Sequence, residues 1–295
     1  MGNHHKTEKY LGLSILLNVV ITATQAIGGL ISGSLALLSD ALHNFSDVIS
    51  LLISYIANRY AKKEASQERT FGYKRAEIIA AFINAATLII LASFLIYESI
   101  VRFINPEIIQ ADWVIALAIL GILVNGLSVV LLHGSARQNM NLKSAYLHLL
   151  SDMSASVAVL IGGIAMYFYQ WFWLDSLLTL GIAAYLLVMG YQLLKESFNI
   201  LMLFTPESVD LIKLRAAMNV DTRIQNIHHL HVWQVNEHEN HLEAHIDFNE
   251  NISLADFDRI LDKIEIVLLE DYGINHVNIQ PEYKKDDNKN IIVQD

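Results

Sequence analysis

The chain has no cysteine among its 295 residues. Disulfides and thiolate metal sites are therefore excluded, and any soft-metal site must be built from histidine and carboxylate. Proline is nearly absent; Pro106, Pro206 and Pro281 are the whole complement. Each falls at a boundary, so no apolar run is interrupted, as continuous helices require. Charge is sparse at 17%, against roughly 25% in ordinary globular domains, while 54% of residues are hydrophobic. The start, Met1 to Lys6, has no signal-peptide pattern, and the first apolar run is too long for an h-region.

The charge that is present is unevenly placed. Residues 1–203 carry 12 acidic and 12 basic side chains, whereas residues 204–295 carry 18 acidic and 8 basic. Seven of the twelve histidines lie in that acidic part. A neutral apolar segment is thus followed by an acidic, histidine-rich one, with the boundary near Pro206. Acid with histidine suits a divalent cation and argues against nucleic acid.

Six apolar runs are long enough to cross a lipid bilayer, near residues 10–32, 34–58, 76–102, 111–132, 144–169 and 173–195. Basic residues alternate between their connections. Lys6 and Lys9 precede the first run. Arg59, Lys62, Lys63, Arg69, Lys74 and Arg75 follow the second, and Arg137 and Lys143 follow the fourth. The other connections lack Lys and Arg, which places both termini in the cytoplasm. Trp113, Trp171 and Trp173 fall at the opposite ends of spans, as interfacial anchors do. Beyond Pro206 the period changes. A helix is expected over Glu207 to Val220, strands over Ile224 to Val235 and His241 to Phe248, a helix capped by Ser253, and a strand over Ile274 to Ile279. That order describes an α+β, ferredoxin-like unit. The expected domains are 1–205 in the membrane, 206–283 in the cytoplasm, and a loose polar tail over 284–295.

The second run carries Asp40, His43 and Asp47, and the fifth carries His148 and Asp152. His43 and Asp47 are four residues apart, as are His148 and Asp152, so each couple occupies one helix face. A carboxylate at mid-membrane costs roughly 3 kcal/mol even on lenient scales. Any one such residue could merely hydrogen-bond a neighbouring helix. Two couples at identical spacing argue for a shared role. Two imidazoles and two carboxylates are a four-ligand set for tetrahedral Zn²⁺, and protons compete with the metal for the same atoms. Asp40 admits several readings: a supporting partner, a proton carrier, or a cap at the start of its helix. In the acidic part, strand alternation puts His229 and His231 on one face and His228 on the other. His238 to His241 (HENH) superficially resembles a zinc-protease motif. It lacks the second histidine at position 242, which is Leu, and lies in a turn, so it is rejected.

These residues resemble the cation diffusion facilitator family, in its zinc transporter group. The likeness rests on Ser34 to Asp47 (SLALLSDALHNFSD), Arg69 to Glu77 (RTFGYKRAE), His148 with Asp152, and His228 to Gln234 (HHLHVWQ). It implies a six-helix transmembrane bundle with a cytoplasmic ferredoxin-like domain, a homodimer in a bacterial plasma membrane, and export of Zn²⁺ in exchange for protons. It assigns His43, Asp47, His148 and Asp152 to the transport site, and His228, His245 and Glu282 to a cytoplasmic metal site. The chain departs from some relatives in three places. Ala61 to Lys74 has no His or Asp for an extra site, His276 is offset by one from a ligand position, and Leu201 to Phe204 offers no Asp to pair with Arg75. Cd²⁺ and Co²⁺ remain alternative cargoes, while two imidazoles disfavour Mn²⁺ and Fe²⁺. A membrane zinc hydrolase would need an open coordination position and a nearby general base, and a metal sensor would need an output domain.

Overall fold

A computed structural model describes residues 2–61, 66–136, 140–236 and 239–293. Lys62, Lys63, Arg137 and the turn residues Glu237 and His238 lie outside the described residues. Two compact units are present: Met1–Tyr55 with Ile83–Leu193, and Ile56–Phe82 with Leu194–Asp295. Six long helices come first: α1 (Gly2–Ser32), α2 (Leu35–Ala61), α3 (Ala76–Ile104), α4 (Ala111–Ala136), α5 (Met140–Tyr169) and α6 (Trp173–Leu201). Among the described residues, four are long and apolar enough to cross a membrane: Ala76–Ile104, Ala111–Val130, Tyr146–Tyr169 and Trp173–Leu201. The described apolar stretch of α1 is shorter, Asn18–Ser32. Helix α2 carries Asp40, His43 and Asp47 among its apolar residues.

Within the first unit, α4 packs on α5 and α1. Ala36 and Leu37 of α2 bury against Val114, Leu117 and Ala118 of α4 and Val159 and Met166 of α5. Asp175, in the first turn of α6, caps α2. Its carboxylate accepts from the backbone N–H of Leu35 at 2.8 Å and from the Ser34 hydroxyl. Asp40 is therefore not a helix cap, because α2 begins at Leu35 and Asp40 sits in its second turn. Its carboxylate instead accepts from Gln25 Nε2 of α1 at 2.7 Å, and the Gln25 carbonyl accepts from Asn44 Nδ2 at 3.3 Å. Gly121 of α4 lets this network close. A Cβ there would lie 2.9 Å from Ser156 Oγ and 3.3 Å from Gln25 Nε2.

The second unit holds the α+β fold. Its elements are α7 (Leu211–Ala217), β1 (Ile224–Asn236), β2 (Glu239–Phe248), α8 (Leu254–Tyr272) and β3 (Ile274–Glu282). The sheet order is β1-β2-β3, with β1 antiparallel and β3 parallel to β2. Phe257, Ile260, Ile264 and Leu268 recur on one face of α8 and bury against Leu242, Ala244 and Ile246. Ser253 caps α8, accepting from Asp256 N–H at 3.1 Å. The first helix is shorter than expected. Asp210 takes the N–H groups of Ile212 and Lys213 and fixes the start there rather than at Glu207. Strand β3 continues through Pro281 to Glu282, which an edge strand tolerates.

The tail is not loose. A break in register between His228 and His231 withdraws His229 and Leu230 from the β2 ladder, and His229 adopts φ 49°. Their N–H groups donate instead to the carbonyls of Asn290 at 3.1 Å and Ile291 at 2.7 Å. Ile291 packs onto the core. Residues 284–293 thus form a strap along β1.

Gly273 ends α8 at φ 64°, the left-handed region that penalises a Cβ. Gly273→Ala is expected to destabilise the α+β unit by about 1–2 kcal/mol, read as an earlier thermal unfolding transition of the full chain.

Candidate metal centres

Among the described residues, two sets of histidine and carboxylate atoms lie close enough together to share one ion. In the first, ligand atoms of His43, Asp47 and His148 all fall within 4.8 Å of one another. Asp152 joins them, with Oδ1 3.4 Å from His43 Nε2 and Oδ2 3.6 Å from His148 Nε2. Across the helix pair, His148 Nε2 lies 3.1 Å from Asp47 Oδ2. Both oxygens of Asp152 are buried without a hydrogen-bond donor, since 3.4–3.6 Å exceeds normal bonding distance. A buried carboxylate facing two ring nitrogens at that range is an acceptor for a cation.

Exposure is graded through this site. The Asp152 side chain is 1% exposed and that of His43 14%, against 31% for Asp47 and 39% for His148. Asp47 follows His43 along α2, toward the basic segment after that helix. His148 precedes Asp152 on α5, nearer the basic connection before it. The accessible pair is therefore the one further along α2 and earlier in α5, and the sealed pair is His43 with Asp152. The Tyr185 ring of α6 stands edge-on to His43 at 5.8 Å, a neighbour that no sequence pattern marked.

The second set is His228, His245, Glu282 and Asp287. The register places His228 opposite His245 and Asp247 opposite Glu282. His245 Nδ1 is 3.0 Å from Glu282 Oε1. His228 Nε2 is 3.5 Å from Glu282 Oε2 and 3.7 Å from Asp287 Oδ1, and its Nδ1 is 3.4 Å from Asp247. Both ring nitrogens of His228 and Nδ1 of His245 are buried without hydrogen-bond partners, while Asp287 Oδ1 is paired with Lys289. Such orphaned donor atoms fit a bound cation. The bulge also overturns simple alternation. His229 does not lie away from His228; its ring is 4.5 Å from His245, which in turn is 5.4 Å from His228.

Electrostatics in this set favour ligand-competent forms. Burial lowers the His245 pKa, outweighing Glu282, and so disfavours the charged ring. Burial alone would raise Glu282. Hydrogen bonds from Lys285, Lys289 and Gln280 outweigh it and hold the carboxyl below its ordinary range. Lys289 does the same for Asp287. Asp287, Asp247, Lys285 and Lys289 were not foreseen from the sequence. The signal was the dense mixed charge of Lys284 to Lys289 (KKDDNK). His276 pairs with His241, at 4.4 Å between rings, and takes no part. Lys74 Nζ is 2.6 Å from Glu239, which also binds His241 at 2.9 Å, so the HENH stretch has a structural partner.

Residues 11–202 match the cation efflux transmembrane domain, and residues 206–284 match the cation efflux protein cytoplasmic domain. The chain is similar to the cadmium, cobalt and zinc/H(+)-K(+) antiporter of Bacillus subtilis (strain 168), with 39% identity over 99% of this chain and 96% of the relative. It is 36% identical to the zinc transporter ZitB of Pectobacterium atrosepticum, over 97% of this chain and 90% of that protein. It is 32% identical to the metal cation efflux system protein CzcD of Cupriavidus metallidurans, over 92% and 86%. With two such matches in chain order and relatives aligned along nearly its whole length, the chain belongs to the cation efflux family, which comprises transporters and not enzymes.

Proposed function

We propose that this chain is a zinc/proton antiporter of the bacterial plasma membrane, exporting Zn²⁺ through His43, Asp47, His148 and Asp152. Convergence of the two His–Asp couples on one volume supports this most directly. Four ligands of this type suit tetrahedral Zn²⁺, and two carboxylates balance its charge. Residues 1–205 form the six-span transport domain and residues 206–283 the cytoplasmic domain, with both termini inside. On that orientation the accessible Asp47–His148 couple faces the cytoplasm, so the conformer described is the one that loads metal. Rearrangement of the helices then opens the sealed His43–Asp152 couple outward. Protons take the vacated ring and carboxylate atoms and return inward, each charge gaining roughly 2.3 kcal/mol per 100 mV. The cytoplasmic set, His228, His245 and Glu282 with Asp287, takes a second ion, and two copies of the chain associate through this domain.

The same ligands accept Cd²⁺ and Co²⁺, which the name of the Bacillus relative favours as second cargoes. Mn²⁺ suits all-oxygen sites and is disfavoured.

In proteoliposomes carrying an inward metal reporter and a pH dye, wild type is expected to move Zn²⁺ with opposing proton flux. Asp152→Ala should fall to the protein-free background. Zinc movement without a proton signal would contradict antiport. Across a metal panel, Mn²⁺ flux should lie at least about tenfold below Zn²⁺ flux; equal rates would reject a two-imidazole site. In a chain whose transport site is disabled by Asp47→Ala and Asp152→Ala, Asp287→Asn should weaken the remaining zinc site about 10- to 100-fold by calorimetry.

A further inference from the structure

The cytoplasmic ligand set is already bound to cations of its own chain. Lys285 Nζ lies 2.6 Å from Glu282 Oε1, the same oxygen that faces His245 Nδ1 at 3.0 Å. Lys289 Nζ contacts Asp287 Oδ1, the oxygen facing His228 Nε2, and lies 3.2 Å from Glu282 Oε2 and 2.8 Å from Asp247. Three carboxylates thus meet two ammonium groups, and together those two carry the charge of one divalent ion.

Both lysines belong to the strap, whose register on β1 depends on the bulge at His229 and Leu230. From this geometry we propose that Lys285 and Lys289 set the affinity of the cytoplasmic metal site. A divalent ion binds by displacing them, and their departure loosens the strap from β1. The inference rests on His228, His245, Glu282 and Asp287 holding metal, as proposed above.

The physical reasons are steric and electrostatic. A metal bonds its ligands at about 2.0–2.2 Å. An ion seated among donors no more than 4.8 Å apart must use the Glu282 and Asp287 oxygens that the lysines hold. It cannot share them at contact with two ammonium charges, because like charges repel at such short range. The lysine side chains are 47% and 33% exposed, so each can swing into solvent when expelled. Asn290 follows Lys289 directly and carries the carbonyl that pairs with His229, so moving Lys289 disturbs that bond. The site therefore responds only when metal is abundant enough to compete with its own side chains.

The test uses the full chain in detergent with the transport site disabled by Asp47→Ala and Asp152→Ala, and with Zn²⁺ as the probe. Calorimetry of Lys285→Gln/Lys289→Gln should show zinc binding about tenfold tighter than in the parent chain. Hydrogen exchange needs no lysine variant: on adding zinc, the amides of His229 and Leu230 should exchange several-fold faster. Zinc binding that is no tighter in the double variant, or strap amides whose exchange is unchanged or slowed by zinc, overturns the proposal. If His228→Ala/His245→Ala binds as much zinc as the parent, the metal-site reading itself fails and the proposal falls with it.

Discussion

The structure depends on how a bilayer-crossing bundle accommodates charge it cannot solvate. Asp152 is almost wholly buried, and what faces its oxygens is a pair of imidazole nitrogens at 3.4 and 3.6 Å. In a hydrocarbon surround such an arrangement is tolerated only where the groups have a function together. It is held from several directions. Asp175 pins the start of α2, and Gln25 ties Asp40 and Asn44 to α1. Gly121 allows α4 to approach Ser156, one turn beyond Asp152 on α5. The polar residues of α2 therefore form one supported face rather than isolated blemishes in a hydrophobic helix.

The α+β unit handles charge differently. Water is near, so its carboxylates can be balanced by flexible lysines instead of fixed imidazoles alone. The bulge in β1 is the structural device that matters here. It turns His228 and His229 together toward His245, and it frees two N–H groups to bind the strap. One local irregularity thus supplies both the histidine cluster and the contacts of the strap beside it.

The two His–Asp couples were legible in the sequence because their signal is local. A four-residue spacing on a helix fixes a shared face, and apolar surroundings make the polar residues conspicuous. The helix of Ser253 and the strand ending at Phe248 were legible for the same reason, since their periods of 3.6 and 2 are written directly in Phe257, Ile260 and Ile264 and in Leu242, Ala244 and Ile246. What escaped depends on contacts distant in the chain. Asp40 admitted a capping reading because the true cap, Asp175, is contributed by α6. Asp287 looked like part of a loose tail because its position follows from a bulge some sixty residues earlier. The length of α7 turned on which of several polar residues, Glu207 or Asp210, captured the first N–H groups.

The central claim is that one zinc ion is bound by nitrogen and oxygen from both couples at once. X-ray absorption on zinc-loaded full-length protein, with the cytoplasmic set removed by His228→Ala and His245→Ala, addresses it directly. The account predicts a four-coordinate shell at about 2.0–2.2 Å with scattering from two imidazole rings, falling to one ring in His148→Ala. A six-oxygen shell, or a spectrum indifferent to His148, would contradict it.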